Sequence, residues 1–246
     1  MKTKQALILS LLITVLIANN IFFFSNFSKT EINQITVQRA IDGDTFVTTQ
    51  GETIRLENIN TPEKSEPGYE EAKYFLKQYE NQTLQLETSQ KDKYGRTLAK
   101  AFTPNYLNLE IVQNGLATKF LVENAEIQLF AQAEAQAIKQ QKGLWKKSPY
   151  SECLQTQINP KKETILIENS CPDLNLQDWT IRDEGRNKYK FKVLSFIELN
   201  LHTGEGNDNQ TDIFWNSKNE IWNNDRDTVY ILDSENALAY YHTYGY

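Results

Sequence analysis

The sequence predicts an α+β domain, a small β-barrel packed by three helices, followed by an all-β sandwich and preceded by an apolar signal or anchor helix. Three observations carry this. From Ile35 to Ile59 short strand-like stretches alternate around turns at Gly43 and Gly51. Apolar residues at helical spacing are confined to the stretch between Pro67 and Gly143. After Pro149 helical periodicity is lost, and short apolar stretches separated by Asn, Asp and Gly take over.

Residues 1–29 open with Lys2 and Lys4, followed by an apolar run from Ala6 to Ala18 that resumes at Ile21–Phe24. A signal peptide has this form. No small-x-small cleavage site follows, and the run approaches the roughly 20 residues that span a bilayer, which favours an uncleaved anchor. With the lysines held inside, the rest of the chain lies outside the cytoplasm, secreted or anchored to the membrane.

Residues 30–150 form the first domain. In Thr53-Ile54-Arg55-Leu56, a period of two sends Ile54 and Leu56 to one face and Arg55 away from it. Pro67 starts a helix carrying Tyr69, Ala72, Leu76 and Tyr79, which closes before Asn81, and Thr83–Glu87 returns to strand. Gly95 turns the chain into a strand at Thr97–Phe102, and Pro104 with Asn105 opens a short helix that Gly115 ends. Asn124 is expected to cap a longer helix with apolar positions Ile127, Phe130, Ala131, Ala135 and Ile138, stopping at Gly143, with Trp145 as a core anchor. Residues 151–246, linker included, supply the sandwich, with strands expected at Thr164–Glu168, Tyr189–Val193 and Thr228–Leu232.

The net charge of −6 excludes a bulk electrostatic grip on nucleic acid. Residues 30–150 hold 14 basic against 16 acidic side chains, and residues 151–246 hold 9 against 16, so any polyanion site is local to the first domain. Two cysteines in an exported chain predict one disulfide, Cys153–Cys171. His202 and His242 are ordinary polar residues, since zinc ligands come in close pairs.

Four segments mix hard oxygen donors with arginines: Asp42-Gly43-Asp44-Thr45, Arg55-Leu56, Asn60-Thr61-Pro62-Glu63 and Asp92-Lys93-Tyr94-Gly95-Arg96. Carboxylates and guanidiniums together meet the needs of phosphodiester hydrolysis: charge neutralised on the phosphate, a water held in line, a leaving oxygen supported. An oxygen-only donor set suits calcium rather than zinc. In this order and spacing, and with Gly143-Leu144-Trp145 closing the last helix, the stretch from about Gln34 to Trp145 resembles the staphylococcal nuclease family. The resemblance implies a five-stranded OB-type barrel with three helices that cleaves DNA, RNA or both, using calcium.

Carried over on that resemblance, Asp44, Asn60 and the Thr61 carbonyl occupy the metal-ligand positions, and Asp42 supports the metal loop. Glu63 manages the attacking water, Arg55 and Arg96 clamp the scissile phosphate, and Lys93 and Tyr94 touch a neighbouring phosphate. Two departures stand out. Asn60 replaces an anionic ligand, which lowers the expected calcium affinity, and Thr118-Lys119-Phe120 stands where the family carries base-facing tyrosines. These departures favour an alternative of another class, a catalytically weak or inactive nucleic-acid or surface binding module. Asp44, Arg55, Glu63 and Arg96 together favour catalysis.

From about Thr156 to Tyr246 the chain resembles the lamin tail domain, an immunoglobulin-like sandwich. The segments that carry it are Leu174–Asp183, Thr203-Gly204-Glu205-Gly206 and Trp222–Val229. That resemblance implies a tethering domain whose ligand is not readable, on a chain expected to be monomeric. Trp179, Trp215 and Trp222 are expected in its core.

Overall fold

A computed structural model of the chain describes residues 32–192 and 195–246. The expected signal or anchor helix, and Val193 of an expected strand, lie outside them. Among the described residues, no helix is long and apolar enough to cross a membrane.

The first domain comprises β1 (Ile32–Ala40), β2 (Thr45–Thr48), β3 (Thr53–Leu56), β4 (Ile59–Asn60), α1 (Tyr69–Lys77), β5 (Thr83–Lys91), β6 (Thr97–Phe102), α2 (Leu107–Gln113), β7 (Thr118–Lys119) and α3 (Ile127–Lys139). Five strands close into a barrel in the order β1-β2-β3-β6-β5, with β3 and β6 parallel. Strand pleating fills it: Leu84 and Leu86 of β5, Ala99 and Ala101 of β6, and Ile54 and Leu56 of β3 are buried. Leu76 of α1, Leu107, Ile111 and Val112 of α2, and Phe130 and Ala133 of α3 close the same core.

Helix α3 departs from the expectation in two ways. Asn124 does not cap it, because the helix begins after Glu126 with no side-chain cap, and Asn124 Oδ1 instead accepts from Arg226 Nη1 at 2.9 Å. Its buried face is Phe130, Ala133, Glu134 and Ala137, not Ala131 and Ala135. The face is rotated because Glu134 has a buried partner, which apolar periodicity cannot register.

The second domain comprises β8 (Leu154–Asn159), β9 (Thr164–Asn169), β10 (Thr180–Arg182), β11 (Lys188–Lys190), β12 (Glu198–His202), β13 (Asp212–Phe214), β14 (Asp227–Leu232) and β15 (Leu238–Tyr244). They form two four-stranded sheets, β11-β10-β14-β15 and β13-β12-β9-β8. Trp179, Trp222, Ile165, Ile167, Leu199 and Leu201 fill the space between them, with Trp215 packed at its edge. A disulfide joins Cys153 to Cys171 at the start of the sandwich. His202 bonds Asp212 and stacks on Phe214.

The two domains share a face. Strand β14 is buried at every position because both its sides are covered. Val229 and Ile231 enter the sandwich core, while Tyr230 and Leu232 join Ala137, Trp145 and Leu238 in an apolar cluster between the domains. Trp145 stacks on Tyr230, so the expected core anchor packs across the boundary. The linker is stitched on as well, Leu238 N donating to Lys146 O and Ser148 N to Leu238 O.

Beside this cluster Lys119 is fully buried. Its Nζ lies 2.7 Å from Glu134 Oε2, 3.1 Å from Glu184 Oε1 and 2.5 Å from Thr228 Oγ1. Burial alone would lower the Lys119 pKa, but the charges of Glu134 and Glu184 outweigh it and the group is raised. Replacing Lys119 by Met leaves two buried carboxylates without their cation, and Lys119→Met should lose about 3–5 kcal/mol in chemical denaturation. A loss below about 1 kcal/mol would show that the cluster does not hold the domains.

Candidate active site

The loop Asp42-Gly43-Asp44 joins β1 to β2 and lies against α1 and Thr61. A Cβ on Gly43 would stand 2.6 Å from Ala72 Cβ and 2.9 Å from Thr61 Cβ, so only glycine admits this approach. The approach sets Asp44 beside Thr61. Asp44 Oδ2 accepts from Thr61 N at 2.9 Å and Thr61 Oγ1 at 2.8 Å, and Oδ1 accepts from Thr45 Oγ1 at 3.0 Å. Asp42 Oδ1 accepts the Asp44 amide at 3.0 Å. Burial, and then the charge of Asp44, push the Asp42 carboxyl up to about 6.

Arg55 leaves the apolar face of β3, as the period of two requires, yet its side chain is enclosed rather than open. Nε lies 3.1 Å from Asp44 Oδ1, Nη1 donates to the Leu56 carbonyl, and Nη2 donates to Ile59 O at 2.8 Å and Asn60 Oδ1 at 2.7 Å. Three of its five N–H groups are thereby hydrogen-bonded inside the protein, and Nε faces Asp44 in an ion pair. Burial lowers its pKa; Asp44 opposes this, and Arg186 and Arg96 add to it. Arg96 precedes β6, whose Thr97 pairs with Ile54 of β3, and its Nε and Nη2 both lie 2.7 Å from Asp92 Oδ2. Tyr94 is exposed, with Lys93 and Arg96 over its ring.

Asn60 is placed otherwise than a metal-ligand position implies. Its Oδ1 is taken by Arg55 and its Nδ2 donates to Glu184 O at 2.9 Å. Lys119, in the stretch where base-facing tyrosines were sought, points into the interdomain cluster instead. Asp42, Asp44, Thr61 and Arg55 are joined by direct contacts, and Glu63 is exposed.

One participant was not anticipated. Arg186, in the loop between β10 and β11, places Nη1 at 2.9 Å from Thr61 O and 2.7 Å from Glu63 Oε1. Its only sequence signal is the turn composition of Asp183-Glu184-Gly185-Arg186-Asn187.

The family model described as staphylococcal nuclease homologue matches residues 53–147. The thermonuclease of Staphylococcus intermedius is 34% identical over 164 residues, covering 59% of this chain and 98% of that protein. The chain belongs to the staphylococcal nuclease homologue family. The thermonuclease of Staphylococcus hyicus is 33% identical over 124 residues, covering 44% of this chain and 73% of that protein. Endonuclease YhcR of Bacillus subtilis (strain 168) is 33% identical over 134 residues, covering 44% of this chain and 11% of that protein. As a member of this family the chain is a nuclease, a hydrolase acting on nucleic acid. The matched segment of this nuclease spans Arg55, Asn60, Thr61, Glu63, Lys93, Tyr94 and Arg96, whereas Arg186 lies beyond it.

Two outcomes follow from the geometry. Because the folded state raises the Asp42 pKa from 3.8 to about 6, it holds more protons than the unfolded state between those values. Measured in chelator, the Asp42 contribution to stability should therefore fall as pH rises through that window, and Asp42→Asn should flatten the slope; an unchanged slope would contradict the assignment. Asn60→Asp sets a carboxylate oxygen against the Glu184 carbonyl in place of a donor, and metal-free denaturation should show a loss of about 1–3 kcal/mol. Equal stability would show that the Asn60–Glu184 bond contributes nothing.

Proposed function

We propose that the chain is a calcium-dependent nuclease working outside the cytoplasm on DNA, RNA or both, in which Arg55, Glu63 and Arg96 carry the chemistry. The observation that supports this best is the packing of Asp44 against both Thr61 and the Arg55 guanidinium, with Glu63 two residues further on. Calcium fits the donor chemistry: Asp42 and Asp44 are neighbouring carboxylates whose mutual repulsion a divalent cation would relieve, and no nitrogen or sulfur donor stands among them. Asp44 and the Thr61 carbonyl would hold the ion, with Asp42 supporting, and the bound ion would supply positive charge toward the phosphate. Both Asp44 oxygens already accept hydrogen bonds and Asn60 brings no charge. Affinity is therefore expected at about the millimolar level of extracellular calcium modules.

In this reading Glu63 orients or deprotonates the attacking water. Arg96 keeps an unspent guanidinium edge toward the scissile phosphate, while Arg55 directs its charge there and fixes Asp44. Lys93 and Tyr94 border the adjoining phosphate. Residues 151–246 form a separate lamin-tail-like domain with a tethering role, supported by its two four-stranded sheets and tryptophan core. Residues 1–29 export the chain or anchor it, and the chain works as a monomer.

The test is release of acid-soluble nucleotides from denatured DNA, with calcium and with chelator. Arg96→Lys should cut turnover by ~10³ and Glu63→Gln by ~10² or more, with melting unchanged. Arg55→Lys is a poorer probe, because three internal hydrogen bonds and the ion pair to Asp44 depend on that side chain. Full activity in chelator, or near-normal turnover in both variants, would reject the assignment.

A further inference from the structure

Within its own domain the nuclease site keeps one open guanidinium edge, that of Arg96. Both Nη2 hydrogens of Arg55 are spent on Ile59 O and Asn60 Oδ1, so neither of its guanidinium edges can grip a phosphate with two parallel bonds. A second bidentate fork beside that of Arg96 must come from elsewhere.

Arg186 supplies such a fork. Both of its contacts, to Thr61 O and Glu63 Oε1, are made through Nη1, and its Nε and Nη2 have no protein partner among the described residues. Its side chain keeps 31% of its exposure, against 9% for Arg55. The loop that carries it is fixed from both ends. Asp183 accepts from Asn187 N at 2.7 Å and Asn187 Nδ2 at 2.6 Å, Glu184 N donates to Asp227 Oδ1 at 3.2 Å, and Glu184 O receives Asn60 Nδ2. Lys188 Nζ adds an ion pair to Glu66 at 2.8 Å. The Arg186 backbone adopts a left-handed φ of 68°, held by this turn. Arg186 is close enough to Arg55 for the two charges to oppose each other, an arrangement that an incoming anion relieves.

We infer that Arg186, supplied by the second domain, is a substrate-binding residue of the nuclease site that grips a backbone phosphate through its Nε–Nη2 edge while Glu63 and the Thr61 carbonyl hold Nη1. The nuclease site is thus built by both domains. This rests on the placement of the site at Asp44, Glu63 and Arg96 given above.

The test uses the full chain and a fluorescein-labelled single-stranded oligothymidylate. In chelator, where binding is read without cleavage, Arg186→Ala should weaken binding by about tenfold or more and reduce the slope of log affinity against log salt by about 0.7, the loss of one single-strand phosphate contact. With saturating calcium, kcat/KM on the same oligonucleotide should fall by at least about tenfold, with melting unchanged. Arg186→Lys should restore most of the salt slope but not the full affinity, because Lys lacks the fork. Unchanged affinity in Arg186→Ala would overturn the inference, as would a rise in kcat/KM, which would make Arg186 a plug on Thr61 and Glu63. Arg96→Lys and Glu63→Gln, run alongside, separate the two readings. If they keep turnover while Arg186→Ala loses binding, the catalytic assignment fails and the Arg186 contact stands. If they lose turnover while Arg186→Ala binds normally, the Arg186 contact alone fails.

Discussion

A buried ammonium organises the molecule. Lys119 belongs to the barrel domain, yet its charge is met partly by Glu134 of the same domain and partly by Glu184 and Thr228 of the sandwich. A lysine stripped of water is costly unless every donor finds a partner, and here two of the three partners exist only while the domains are docked. The carboxylates are under the same constraint: Glu134 also receives Lys119 N and the Tyr230 hydroxyl, and Glu184 receives Thr228 and Tyr246. Undocking would leave these groups to be rehydrated and would also expose Trp145, Tyr230 and Leu232. The interface therefore behaves as a third core, and the loop of residues 183–187 is positioned by it.

That positioning reaches the chemistry through one residue step. Glu184 bonds Lys119 through its side chain and Asn60 through its carbonyl, and two residues later Arg186 meets Thr61 and Glu63. On the other side, Asp44 holds Thr61 and Arg55, and Arg55 holds Asn60. The site is thus a closed ring of polar contacts running from the barrel strands through the second domain and back. Its geometry is set by rigid elements and by hydrogen bonds with few free rotamers, the condition under which charged groups can be held ready for a developing negative charge.

Most of the barrel was legible because its signals are local. Alternation in Thr53–Leu56, the Gly43 turn and the helix after Pro67 each depend on a few neighbouring residues, and the motif segments keep their order and spacing. Of the eight described sandwich strands, Thr164–Asn169 and Asp227–Leu232 were legible for the same reason, whereas the strand expected at Tyr189–Val193 is instead Lys188–Lys190. What was not legible depends on partners distant in sequence. Asn124 reads as a helix cap but bonds Arg226, 102 residues away. Glu134 falls outside the apolar pattern of its alanine-rich helix, yet it is buried, where Lys119 and Tyr230 meet it. Arg186 carries no motif at all, since its role arises only when a turn in the second domain meets Thr61, 125 residues earlier. Periodicity and spacing register nearest neighbours; ion pairs across a domain boundary leave no trace in either.

Asn60 joins these threads. Seen within the barrel alone, a neutral side chain at a metal-ligand position is a loss, since it removes charge from a calcium site. Seen in the two-domain structure, the position faces a backbone carbonyl of the second domain at 2.9 Å, and only a side chain with a hydrogen to donate can sit there without two oxygens in opposition. Asparagine meets both demands at once, offering Oδ1 to Arg55 and Nδ2 to Glu184. Asn60 and Arg186 are therefore two parts of one arrangement, in which a single loop of the second domain meets Asn60 through the Glu184 carbonyl and Thr61 and Glu63 through the Arg186 guanidinium.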